Sequence, residues 1–209
     1  MVWLIVAISS VSCFGFTHPG VYISSEQLSY ARQQIAAQSG THYDAYVKAL
    51  NSTLAKPDYK PQGPPASGVI ECGSYNKPDY GCELESEDTN TAFLQALLFA
   101  LNGNQTYAGN AIGILNAYAY GVKKYTNANA PLQSAWSAQM TTKAAELLKY
   151  HGARWEQKDQ DQLADFWKAR VLPLIYNGST YNGVYSPLRA LVMTLMMNVY
   201  VRQQGAVDD

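Results

Sequence analysis

The chain has 209 residues, of which 47% are apolar and 15% charged, with 15 Lys and Arg against 16 Asp and Glu. Its length fits one domain, its apolar share supports a sizeable core, and the low charge density excludes disorder as the main state. A formal net charge of −1 excludes a nucleic-acid footprint, and no basic run suits an anionic membrane. Sixteen tyrosines against five phenylalanines favour surfaces that grip sugars or peptides, because tyrosine joins a flat apolar face to a polar tip.

Residues 1–16 read as a secretory signal peptide: an apolar stretch (Val2 to Ile8) runs into small residues, with cleavage after Gly15. The stretch lacks a basic residue before it, and the competing reading is a buried N-terminal helix or strand. At about 14 residues it is too short to span a membrane. Three N-glycosylation sequons follow, at Asn51, Asn104 and Asn177. Cys13 leaves with the signal, so Cys72 and Cys82 remain as an even pair for a disulfide. Two cysteines with no histidine nearby fall short of a metal site, and no metal or cofactor is expected. These features together predict a secreted, extracellular protein.

Helical periodicity dominates the rest. Ser24 with Gln27 forms a capping box, and Leu28, Ala31 and Ile35 share one face up to Gly40. Tyr43, Tyr46, Val47, Leu50 and Leu54 make a second amphipathic stripe. Residues 56–87 carry five prolines and four glycines and read as a functional loop of about 30 residues. Asp88 or Thr89 then caps a helix with Phe93, Leu97 and Leu101, closed by Gly103. Thr106 caps the next, with Tyr107, Ala111, Ile114, Leu115 and Tyr118 on one face. The short connection makes the two an antiparallel hairpin. A fifth helix spans about Leu132 to Tyr150 and a sixth about Lys158 to Val171. No period-2 strand pattern competes, so the fold class is all-α. The 184–209 tail is almost wholly apolar from Leu188 to Val201, which suits a buried helix better than a membrane span.

Familiar catalytic motifs are absent: no phosphate loop, no zinc-binding helix and no nucleophile elbow. His18 and His42 suit surface or capping roles, and His151 suits a cationic cap at a helix end. Glu83, Glu85, Glu87 and Asp88 could serve as paired carboxylates on a glycoside, but their place before a helix favours a structural role.

The segments from Asp88 to Ala108, Ala111 to Tyr118, Leu132 to Trp136 and Ala144 to Leu148 resemble the helical hairpins of the alginate lyase family. The resemblance spans about 17–183 and is most specific over 88–183. It implies an α/α toroid, here incomplete, whose antiparallel helical hairpins surround a cleft for an acidic uronate polysaccharide. It also implies β-elimination, in which a neutraliser stabilises charge developing on the uronate carboxylate. A base takes the C5 proton and an acid protonates the leaving oxygen.

The family's Asn-Gly-Asn-Trp segment begins at Asn182-Gly183 and is then replaced by Val184-Tyr185-Ser186-Pro187. Asn182 is accordingly the remnant of the neutralising position, and the expectation is a monomeric lyase domain ended early and impaired by it. Trp136 and Gln139 are taken as sugar-facing, although Trp136 also fits an apolar stripe, and Asn90 as a hydrogen-bonding residue at the cleft rim. The alternatives are a noncatalytic sugar-binding remnant and an α/α-toroid glycoside hydrolase that uses the acidic cluster.

Overall fold

The computed structural model describes residues 17–178. The expected signal segment, Asn182 and the 184–209 tail lie outside the described residues.

Ser24 starts the first helix as its sequence predicts. Its hydroxyl accepts from the Gln27 backbone N–H at 3.2 Å, while the Gln27 side-chain oxygen accepts from the Ser24 N–H at 2.9 Å. This helix, α1 (Ser25–Ala36), is followed by α2 (Gly40–Leu50). Gly40 opens α2 rather than closing α1. The proline-rich stretch after it is ordered and holds two strands, β1 (Val69–Cys72) and β2 (Asp79–Tyr80). Cys72 and Cys82 form the expected disulfide, with Cα atoms 5.9 Å apart.

Three further helices follow in close succession: α3 (Cys82–Asn102), α4 (Gln105–Gly121) and, after strand β3 (Lys124–Thr126), α5 (Ala130–Tyr150). Gly103, in the left-handed region at φ 75°, ends α3 with its N–H on the Phe99 carbonyl at 2.7 Å. The side chain of Asn104, rather than Thr106, then caps α4 by accepting from the Thr106 N–H at 3.0 Å. The described chain closes with α6 (Gln157–Phe166), a π-helical turn (Trp167–Val171) and α7 (Leu172–Gly178).

The molecule is mostly helical, with one small sheet that periodicity did not predict. β1 is its centre, antiparallel to β2 and parallel to β3. Strands of four, two and three residues are too short to show alternation. At Gly68, which precedes β1, a side chain is excluded twice over. Its φ is +73°, and a Cβ would lie 2.7 Å from the Gly121 carbonyl oxygen.

Among the described helices, α3 packs along both α5 and α4, α5 along α7 and α4 along α6, while α1 flanks α3. Small side chains permit the close approach of α3 and α5: Ala92 and Ala96 on the first, Ala138, Ala144 and Ala145 on the second, all buried. The core also holds Leu98, Ile114, Leu115, Leu147, Leu163 and Trp167, none more than 1% exposed. Each contributes roughly 1.5–3 kcal/mol by burial. Asn116 and Tyr120 on α4 both donate to Asp159 on α6, at 2.8 and 2.7 Å, and fix that helix pair.

The chain start is tied to α5 by Glu146. Its Oε1 accepts from the backbone N–H of Gly20 at 2.8 Å and lies 2.8 Å from His18 Nδ1, while the His18 ring stacks on Tyr150 with centroids 4.2 Å apart. His18 is therefore a packed residue and not the surface or capping group its position suggested. His42 is exposed on α2, edge-on to Tyr30. His151 does follow α5, yet burial and the charge of Arg32 hold it below the usual histidine range. Both effects work against the cationic form that a capping role at this C-cap position would use. Asn51 and Asn104 are exposed, and Asn177 lies in α7.

The disulfide closes a short loop, with cysteines ten positions apart. Replacing both with serine should lower stability by about 2–3 kcal/mol. Thermal or urea unfolding of the double variant against reduced and oxidised wild type checks this; equal stability of all three would contradict it.

Candidate functional site

The acidic run is where the structure departs furthest from expectation. Asp88 does not cap a helix, because α3 starts six residues earlier at Cys82, behind a left-handed Gly81 that lends no side-chain cap. Glu85 and Asp88 fall one turn apart inside α3 and are 1% and 0% exposed. Asp88 accepts four hydrogen bonds. Tyr59 hydroxyl (2.8 Å) and Gln62 N–H (3.1 Å) reach Oδ1; Gly63 N–H (2.8 Å) and Tyr118 hydroxyl (3.0 Å) reach Oδ2. These donors come from the proline-rich stretch and from α4, so a single carboxylate pins that stretch to the helical hairpin.

Glu85 does the same for the other side. It accepts from Tyr125 on β3 at 2.5 Å and from Gln133 on α5 at 2.8 Å. Burial pushes its carboxyl up to about 7, against hydrogen bonds from Tyr125, Gln133 and Ser137 and with the help of the Asp88 charge. Burial raises the hydroxyls of Tyr118 and Tyr125, helped by Asp88 and Glu85 at Tyr118 and by Glu85 at Tyr125, and burial raises Tyr59 to about 12, so all three remain donors. Paired carboxylates engaged in this way are structural.

Directly over Glu85 lies an open cleft of about 170 Å³ between α3 and α5, lined by Ser86, Thr89, Asn90, Trp136, Ser137, Gln139 and Met140. All three residues expected to face a sugar line it. Trp136 is 41% exposed, so it is not the core residue that its place in an apolar stripe allowed. The positions follow from helix geometry. Trp136, Gln139 and Met140 lie three and four residues apart on α5, and Ser86 and Asn90 lie four apart on α3, so each set shares one face. Asn90 is exposed and donates to the Ser86 carbonyl at 2.7 Å. Gln133 donates behind the lining and reaches Ser86 Oγ at 3.2 Å, which joins the cleft floor to the buried Glu85.

The cleft is small beside the ~300 Å³ and more of a pocket that encloses a ligand. Its flat indole, two amides and three hydroxyls suit one ring of an extended sugar chain. Among the described residues no group of three or more His, Cys, Asp or Glu side chains is placed to hold a metal ion, and no helix is long and apolar enough to cross a membrane. The chain matches no protein-family model and no curated protein sequence.

Two outcomes follow from the buried carboxyls. Asp88→Ala strands four donors and should cost roughly 3–5 kcal/mol in urea unfolding; a loss below 1 kcal/mol would remove Asp88 from its place in the fold. The Glu85 carboxyl is raised in the folded state, so its contribution is fully present below the ordinary glutamate range and is lost as pH rises through 7. Glu85→Gln should flatten that part of the stability profile, measured by thermal unfolding from pH 4 to pH 8 in steps; an unchanged slope would refute the assignment.

Proposed function

We propose that this chain is a secreted polysaccharide lyase domain of the alginate lyase type, cleaving a uronate polymer by β-elimination in the groove between α3 and α5. The observation that carries the reading is the convergence of Trp136, Gln139 and Asn90 on one open cleft. The indole offers a stacking face for a pyranose, and the amides offer donors and acceptors to its hydroxyls. The packing of successive helices α3 and α4 as a hairpin, with α3 also against α5, is compatible with the helical hairpins of an α/α toroid, and the Cys72–Cys82 disulfide suits an oxidising extracellular compartment. In this reading the neutralising group is Asn182, outside the described residues.

The noncatalytic sugar-binding reading is favoured by one observation. The seven residues that line the cleft carry hydroxyl, amide, thioether and indole groups, none of which exchanges a proton near neutral pH. The hydrolase reading loses two of its four carboxyls, since Glu85 and Asp88 are buried and committed to hydrogen bonds, and is left with the exposed Glu83 and Glu87.

Incubation with alginate and glucuronan separates the three. A lyase develops ultraviolet absorbance from the new conjugated double bond, a hydrolase releases reducing ends without it, and a binding remnant does neither. Trp136→Ala should weaken polymer binding about tenfold, the value of about 1.4 kcal/mol of lost stacking. Affinity electrophoresis in gels cast with the polymer measures it, and unaltered retardation would argue against the cleft.

A further inference from the structure

Beyond the cleft, the helix face that lines it carries a cation that the reading above does not use. On α5, Trp136, Gln139 and Met140 are followed on the same face by Lys143. On α3, Asn90 is followed one turn later by Phe93. The Lys143 ammonium lies 5.4 Å from the centre of the Phe93 ring and 4.8 Å from that of Tyr22. Tyr22 meets Phe93 edge-on at 5.1 Å and also lines a broad, shallow depression with Glu26, Tyr30 and His42. Lys143 thus stands one turn beyond the cleft lining on the same face of α5, under a ring that borders this second hollow.

Its surroundings are unusual for a lysine. The residue is only 8% exposed, and no carboxylate among the described residues pairs with it. Glu146, one turn further along α5, is turned to the chain start, where its Oε1 holds Gly20 and His18. Burial lowers Lys143 from the usual lysine range, and no acidic neighbour restores it. Two aromatic faces offset part of the cost of burying the charge, and a buried cation without an anionic partner is a place where an anion from outside would be favoured.

We propose that Lys143 is the carboxylate-reading residue of the groove: a pyranose stacked on Trp136 places the carboxylate of a uronate ring further along the same chain on the Lys143 ammonium, beside Phe93 and Tyr22. Seven residues of helix separate Trp136 from Lys143, ~10 Å along the axis, a length that an extended sugar chain covers in successive rings. The inference rests on the groove being a sugar site and not on turnover within it.

The test compares two tetrasaccharides of one linkage, β-1,4-glucuronan tetramer and cellotetraose, which differ in their carboxylates. Calorimetric titration in the cold measures both on wild type, Lys143→Met, Lys143→Arg and Trp136→Ala. Wild type should bind the acidic tetramer about tenfold more tightly than the neutral one, the value of a hydrogen bond to a charged group. Salt should weaken the acidic tetramer alone. Lys143→Met should erase the difference, Lys143→Arg should keep most of it, and Trp136→Ala should weaken both tetramers alike. The proposal falls if wild type binds both tetramers equally or neither, or if Lys143→Met, with a native unfolding transition, keeps the preference. Should Lys143→Met not fold, the salt dependence in wild type and the retained preference of Lys143→Arg decide the matter. Carboxylate preference without ultraviolet absorbance would refute the lyase reading and leave this one standing.

Discussion

Two carboxylates buried one turn apart on α3 hold this architecture together. A buried negative charge is costly unless every lone pair finds a donor. Here the donors come from four parts of the chain: Tyr59, Gln62 and Gly63 from the proline-rich stretch, Tyr118 from α4, Tyr125 from β3 and Gln133 from α5. Satisfying Asp88 therefore folds a segment with little regular structure against the helical hairpin, and satisfying Glu85 draws in the sheet and α5. The disulfide closes the same corner covalently. Hydrophobic burial supplies the driving force between the helices, while these two side chains decide which irregular segment lies where.

The groove is a by-product of that packing. Alanines bring α3 and α5 together along their buried faces, and the larger side chains on the adjoining faces then stand apart and line an open channel. Trp136 is held out on the α5 side while its neighbours Ala135 and Ser137 are buried. The channel floor is polar because it lies on the Glu85 network. A rigid, hydroxyl-rich floor beside a flat aromatic face suits sugars better than apolar ligands.

Much of this was legible in the sequence. The capping box at Ser24, the hairpin closed by Gly103 and the cysteine pair all follow from local chemistry acting between near neighbours. That Trp136 and Gln139 line one cleft was also readable, since three- and four-residue spacing settles which residues share a face. The start of α3 was not. Gly81 precedes it without a capping side chain, whereas Asp88 and Thr89 look like caps; the partners of Asp88 lie 25 to 30 positions away, beyond any local pattern. The strands were too short to alternate. Lys143 shares the face of Trp136 at a spacing of seven, which could have marked it, but its aromatic neighbours come from α3 and from the chain start.

The grip of Glu146 on Gly20 and His18 spans 126 and 128 positions. Tyr22, which forms one side of the Lys143 setting, is brought to α5 by that grip. Loop closure over so long an interval is slow compared with forming a helical hairpin from adjacent segments. The α3–α4 unit can thus assemble early, while the aromatic enclosure around the lysine is completed only when the stretch around Tyr22 meets a helix more than a hundred residues further along the chain.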